Sequence, residues 1–341
     1  MRAIVYARPG DSDVLELVER PVPVPGAGEV RVRVHVSGVN PTDWKARRRG
    51  RGGGAELPFA QIVPNQDGAG VVDAVGEGVD GRRLGETVWL WEAAWQRAEG
   101  TAQEFVVVPE RQAVRLPDGA SFDLGASLGI PALTAHRCLT VSEGGPRALS
   151  RGALDDRVVL VAGGAGAVGH AATQLARWAG ARVIATVSSA QKEQLALAAG
   201  ADHVVNYRLD GAADEIRALA PGGVDVVVEV APGVNAALDA AVLSPDGTVA
   251  AYATDGGGEL TLDVFALMFR NIRYQFVLVY TVPPAVKDQA VADVSAAAAD
   301  GALPVGEDAG LPLHRFPLER TAEAHDAVER GAVGKVLIDV A

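Results

Sequence analysis

The sequence predicts an α/β fold, a parallel sheet clad in helices, joined to a β-rich segment. Three observations carry that expectation. The string Gly164-Ala165-Gly166-Ala167-Val168-Gly169 directly follows the apolar run Val158–Ala162 and opens a stretch of helical period. From about residue 125 onward, short apolar runs alternate with helical stretches, the pattern of strands joined by crossover helices. Residues 1–120 instead show short alternating strands broken by Pro- and Gly-bearing turns.

Each element follows from local pattern. In the first segment, 30–36 reads Val-Arg-Val-Arg-Val-His-Val, a strict alternation that suits a strand with one buried face. Residues 1–6 read as a strand, with further strands expected at 70–75, 87–90 and 104–108. Residues 47–54 are basic and glycine-rich and read as a mobile surface loop. Beyond residue 125, strands are expected at 158–162, 182–187, 203–206, 224–229 and 248–252. An apolar strand at 275–280 has the character of a sheet edge that pairs with something. After residue 288 the chain returns to helix and short strands, ending near 335–340.

The glycine string has a chemical meaning in this setting. Between a strand and a helix, its first glycine permits the tight turn and its second lets backbone approach a pyrophosphate. The third packs helix on sheet, while the free N–H groups of the helix start face the anion. Val168, Ala171, Ala172, Leu175, Ala176 and Ala179 then form one apolar helical face, and Gly180 stops it. Dinucleotide binding is the expectation.

Composition narrows the function class. At 341 residues the chain has room for about two domains. The formal charge of −12 argues against a nucleic acid or an anionic membrane as partner. The single cysteine, Cys138, excludes an intrachain disulfide or a cysteine-rich metal lobe. No apolar run reaches the length of a membrane span, and the N-terminus reads as a strand and not a signal peptide. A cytoplasmic protein is expected. The string Gly125-Ala126-Ser127-Leu128-Gly129 matches a nucleophile elbow in letters, but lacks the preceding buried strand that motif requires.

Six strings in order resemble the medium-chain dehydrogenase/reductases, in their zinc-free quinone oxidoreductase (zeta-crystallin-like) branch. They are Gly38-Val39-Asn40-Pro41-Thr42-Asp43-Trp44, Asp67-Gly68-Ala69-Gly70-Val71-Val72, the run from Ala102 to Pro109, and Gly129-Ile130-Pro131-Ala132-Leu133-Thr134-Ala135. The run from Gly200 to Arg208 and the terminal Gly334-Lys335-Val336 complete the set. The resemblance implies a Rossmann doubly wound parallel sheet over residues 125–274. It also implies a GroES-like β-rich domain from residues 1–124 and 275–341, with the site in the cleft.

The resemblance also carries roles onto residues. In zinc-dependent relatives a cysteine stands where this chain has Asn40, and Gly-His-Glu where it has Asn65-Gln66-Asp67. Both ligand types are missing, and the six histidines have no ligand spacing, so no metal is expected. Alcohol dehydrogenation then loses its Lewis acid, which leaves electron-poor hydride acceptors such as quinones and α,β-unsaturated carbonyls.

The second sheet strand ends Val187-Ser188-Ser189-Ala190-Gln191-Lys192, without the acid that holds a ribose 2′-OH. Ser188, Lys192 and Tyr207 are carried over as holders of a 2′-phosphate, which makes NADPH the expected cofactor. Ser188 and Gln191 equally spell a helix capping box. Further cofactor contacts implied by position are Gly164, Ala165, Gly166, Ala167 and Val168 on the pyrophosphate, and Asn235 beside the adenosine. Tyr252, Ala253, Thr254, Phe276, Val277 and Leu278 fall near the nicotinamide end, Thr134 and Asn40 face the cofactor, and Lys335 reaches its phosphates.

Catalytic candidates are Asn40, Trp44, Lys45 and Asp67, with Trp91 and Trp95 as candidate pocket walls. Asp67 reads equally as a residue that orders loop backbone. The implied function is NADPH-dependent reduction of quinones or small enones by a homodimer. Alternatives are an enoyl-thioester reductase, docking its carrier through Arg47, Arg48, Arg49 and Arg51, and a non-catalytic NADPH-binding protein.

Overall fold

A computed structural model describes residues 1–49 and 56–340. Its first strands are β1 (Arg2–Val5), β2 (Glu16–Glu19) and β3 (Glu29–Val39), followed by helix α1 (Pro41–Arg49) and strands β4 (Asp67–Val75), β5 (Thr87–Leu90), β6 (Phe105–Pro109) and β7 (Ala113–Arg115). Helix α2 (Phe122–Leu139) leads to β8 (Val158–Ala162), α3 (Ala167–Trp178), β9 (Arg182–Val187), α4 (Ala190–Ala198), β10 (His203–Asn206) and α5 (Ala212–Leu219). Then come β11 (Val224–Glu229), α6 (Pro232–Val242), β12 (Leu243–Ala251), α7 (Val264–Met268), β13 (Arg273–Phe276) and α8 (Pro284–Ala299). The chain closes with β14 (Leu313–Pro317), α9 (Thr321–Glu329) and β15 (Lys335–Asp339).

Two compact units emerge: Met1–Ile130 with Leu313–Ala341, and Pro131–Pro312. The divisions expected at 124/125 and 274/275 therefore move. The reason lies in pairing: β13 joins β12 in parallel as the last strand of the second sheet, and α8 packs on α3, so both stay with the second unit.

In the first unit the sheet runs β14-β15-β3-β4-β5-β7, with β6 also paired to β3. The alternation read in β3 has its expected cause, since Val30, Val32, Val34 and Val36 are all buried. Val30, Val32 and Val34 join Val88, Leu90, Val106, Val108 and Ile338 in one core. Residues 47–49, expected in a loop, complete α1 instead; the rest of that expected loop, 50–54, lies outside the described residues.

In the second unit all six strands are parallel, in the order β10-β9-β8-β11-β12-β13. This is the doubly wound order of two mononucleotide halves, reversing between β8 and β11. Leu160, Ile184, Val205, Val227 and Val249 fill its core, which is why these strands read as continuous apolar runs. The strand expected at 275–280 is shorter and earlier, at Arg273–Phe276, and Val279–Thr281 turns as a 3-10 helix. No helix among the described residues is long and apolar enough to cross a membrane.

Candidate dinucleotide site

The glycine turn is built as its chemistry demands, with one shift. The left-handed position is Gly163 (φ 69°), one residue before the string, so Gly163 and not Gly164 makes the tight turn. A Cβ on Gly164 would stand 2.8 Å from Ala185 Cβ of β9, and one on Gly169 would stand 2.4 Å from Gly163 O. Both hydrogens are required by packing. Gly166 differs: a Cβ there would meet nothing closer than Gly163 O at 3.4 Å. Its face is open, as a glycine approached by a ligand should be. Gly166 also caps α3 without a side chain, so the first-turn N–H groups of Ala167 and Val168 point out of the helix. Ala165, between the two glycines, is buried.

At the end of β9, the expected capping box is corrected. Ser189, not Ser188, is the N-cap of α4, accepting from Lys192 N. Ser188 is thereby spared, and its Oγ receives Lys192 Nζ at 3.2 Å. Asn206 pairs with Val187 in register, and Tyr207, directly after Asn206, is 41% exposed. Ser188, Lys192 and Tyr207 therefore gather at the C-terminal ends of β9 and β10, and they carry a cation and hydroxyls but no carboxylate.

The C-terminal ends of β12 and β13 bring the other expected contacts together. Tyr252, Ala253 and Thr254 follow β12, and Val277 donates its N–H to Ala251 O at 2.8 Å. Val277 is buried, while Phe276 and Leu278 on either side are exposed. Tyr252's phenol is pushed well up by burial. Thr134 is buried within α2, and Asn235 sits on α6 just past β11.

In the first unit two of the catalytic candidates, Asn40 and Asp67, sit in a buried polar cluster. Asn40 donates Nδ2 to Asp67 Oδ2 at 2.6 Å and accepts Lys335 Nζ on Oδ1 at 2.8 Å. Its backbone N–H goes to Asp43 Oδ2 at 2.7 Å. Asp67 also accepts Ile130 N–H at 2.9 Å, beside the break in α2 at Gly129 (φ −26°, ψ −105°). Asp67 thus orders backbone, one of its two expected roles. Lys335 is fully buried, with Asp67 Oδ2 at 3.6 Å. Its ammonium is taken up inside the unit by Asn40 and Asp67.

Burial pushes Asp67 up and Lys335 down, each opposed by the other's charge. Asp43, fully enclosed with Asp67 nearby, is pushed up to about 8. Trp44 lies beneath Lys45 Nζ, 5.7 Å from the ring centre, and its buried Nε1 has no hydrogen-bond partner among the described residues. Nothing in the pattern singles out Asp43 beyond its place in the motif, because only the folded chain sets it beside Asp67 and Lys335.

Other candidates fall away. Trp91 is fully buried with Nε1 on Arg111 O, so it is core and not a pocket wall. Trp95 is only partly buried. Of the expected basic docking patch, Arg47 is fully buried, Arg48 pairs with Glu329 and Asp11, Arg49 is exposed, and Arg51 lies outside the described residues. Ser127 donates to Asp123 O within α2, as a helical serine does. Burial pushes the Cys138 thiol up to about 12, which suits inert core.

The residues at the zinc-ligand positions do not suit that ion. Asn40 uses both ends of its amide, and Gln66 spends Oε1 on Ala94 N–H at 3.1 Å. A cavity of about 420 Å³ lies at the opposite, N-terminal ends of β8, β11 and β12. Its arginines are paired, Arg157 to Asp225 and Arg273 to Glu143, so neither offers a free cation to a ligand.

Comparison with known proteins agrees with this geometry. Residues 26–118 match the alcohol dehydrogenase GroES-like domain model, and residues 167–296 match the zinc-binding dehydrogenase model. Quinone oxidoreductase of Lama guanicoe is 30% identical, over 99% of this chain and 97% of its own. The chain belongs to the quinone oxidoreductase family of medium-chain dehydrogenase/reductases. Among solved structures, an NAD-dependent alcohol dehydrogenase shares 29% identity at TM-score 0.85, covering all of both chains. A mycobacterial member complexed with NADPH also shares 29%, at TM-score 0.81 over 99% of each chain. As a quinone oxidoreductase family member, the chain carries the GroES-like unit and the Rossmann sheet of an oxidoreductase.

Proposed function

We propose that this protein is an NADPH-dependent oxidoreductase that passes hydride to quinones or small α,β-unsaturated carbonyls without zinc. One observation carries the cofactor choice: Lys192 Nζ and Ser188 Oγ lie 3.2 Å apart where an NAD-preferring fold places a carboxylate. A like charge would repel a 2′-phosphate, whereas an ammonium and hydroxyls hold it. Ser188, Lys192 and Tyr207 would grip that phosphate, and Gly164 to Val168 would receive the pyrophosphate. Tyr252 to Thr254 and Phe276 to Leu278 would border the nicotinamide end. The bound nicotinamide supplies the hydride.

Positioning of the acceptor is then the protein's main contribution. Asn40 and Asp67 hold the fold of the first unit around Lys335, while Trp44 and Lys45 on α1 remain the candidate contacts to the acceptor. The zinc-free reading rests on donor chemistry, because two carboxamides offer neither a thiolate nor an imidazole. It also favours electrophilic acceptors over alcohols.

The protein is further read as a cytoplasmic homodimer, the compartment on its acidic charge and its one buried cysteine. For the dimer, β13 is the last strand of the second sheet, and Phe265 and Phe269, on and just after α7 ahead of it in the chain, are 77% and 83% exposed. A second copy covering that edge would bury them. Sedimentation at micromolar concentration tests this, and a monomer would remove it.

The activity test mixes protein and NADPH with a 1,2- or 1,4-quinone, an enone and an enoyl thioester, following nicotinamide absorbance. Turnover of the first two is expected. Tight NADPH binding with no turnover of any acceptor would leave a binding protein, and equal use of NADH would undo the roles of Ser188 and Lys192.

A further inference from the structure

β11 ends on Glu229, which is fully buried, and α6 begins three residues later. Glu229 Oε1 accepts the N–H of Ala231. Asn235 Nδ2 donates to both Glu229 oxygens, at 3.0 and 3.2 Å. One turn along α6, Asp239 is buried against the same carboxyl, and neither of its oxygens has a partner that donates among the described residues. Two carboxyls in contact away from water do not both ionise. Every donor converges on Glu229 and none on Asp239, so the shared proton belongs on Asp239, which gives it to Glu229.

This arrangement fixes the Asn235 amide. Turning it over would set Oδ1 against two carboxylate oxygens, so Nδ2 must face Glu229 and Oδ1 must face away. No donor among the described residues reaches that Oδ1, and Asn235 is only partly buried. It stands at the C-terminal end of β11, on the same sheet edge as the glycine turn after β8.

We propose that Glu229, backed by Asp239, is a positioning residue that holds Asn235 with its carbonyl Oδ1 turned to the nucleotide as a hydrogen-bond acceptor. An acceptor repels phosphate oxygens and takes a hydroxyl or the exocyclic amine of the adenosine half. The inference rests on the NADPH reading, and deepens it by assigning a group that reads the ligand's donors.

Calorimetric titration of the full chain tests it with NADPH, 2′,5′-ADP and reduced nicotinamide mononucleotide. One neutral hydrogen bond is worth about 1 kcal/mol, so Asn235→Ala should weaken NADPH and 2′,5′-ADP about fivefold. Glu229→Gln, whose amide accepts Asn235 in either orientation, should lose a similar amount in the wild-type background and nothing more once Asn235 is alanine. Binding of the nicotinamide half should be unchanged throughout. An equal loss from Glu229→Gln with and without Asn235 would show a merely structural role and overturn the inference. Unchanged 2′,5′-ADP affinity in Asn235→Ala, a partly exposed change that stands even if Glu229→Gln does not fold, would overturn it too. A wild-type protein that binds none of the three ligands would instead sink the NADPH reading beneath it, and the inference with it.

Discussion

Replacing Lys192 with alanine isolates the group on which the choice of cofactor turns. Its Nζ stands 3.2 Å from Ser188 Oγ at the end of β9. A hydrogen bond to a charged group is worth about 1.5–3 kcal/mol. Lys192 is only half-buried, and solvent screening favours the lower part of that range, about 1.5–2 kcal/mol. At about 1.4 kcal/mol per tenfold, NADPH should bind roughly ten- to thirtyfold more weakly. NADH lacks the 2′-phosphate and should bind as before. The backbone N–H that Ser189 accepts is untouched by the change, so the start of α4 persists and does not confound the result. Lys192→Glu should widen the gap, since a like charge then faces the phosphate. The assay is a direct Kd for each nucleotide at fixed ionic strength, because the contact is screened by salt. Equal weakening of NADPH and NADH would refute the reasoning.

Three further predictions follow from the same geometry. Gly166→Ala should keep the melting temperature of the free protein and lose NADPH affinity, because its Cβ meets nothing closer than Gly163 O at 3.4 Å until ligand arrives; Gly169→Ala, with Cβ 2.4 Å from Gly163 O, should lower the melting temperature outright. Calorimetry and titration on the two variants would contradict this if they behaved alike. Asp43, raised to about 8 in the fold, holds its proton there while the unfolded chain releases it above about pH 4. The unfolded state binds fewer protons across that window, so this group's contribution to stability falls as pH rises, by up to about 1.4 kcal/mol per unit, and levels above 8. The stability of Asp43→Asn relative to wild type should therefore climb from pH 4 to 8 in urea titrations, and a flat difference would count against it. Lys335→Met leaves Asp67 buried without its cation and should cost about 3–5 kcal/mol in the same measurement; a near-neutral effect would mean that Asp67 is already protonated.

Much of the fold was legible because periodicity reports burial directly. The valines of β3 and the apolar runs of β8, β9 and β11 were read correctly, since a strand's side chains sort by face or bury on both. Residues 275–280 misled for the same reason: the apolar run continues past Phe276, but parallel pairing with β12 ends at Ala251, and Val279 then turns into a 3-10 helix. Within the site, the glycine string announced itself by spacing, whereas the left-handed residue of the turn is Gly163, just outside the pattern. The helix cap was misplaced by one residue because both Ser188 and Ser189 can play it, and only backbone geometry chooses.

The sequence by itself determined the two kinds of unit, the parallel sheet and the missing acid at the end of β9, because each is a local matter of residue type and period. The tertiary structure alone decided where Lys335 spends its charge, why Asp43 keeps its proton and how Asn235 is turned. These depend on groups such as Asn40 and Lys335, 295 residues apart, meeting away from water, where a charge is stable only beside its partner and no periodicity records who that partner is.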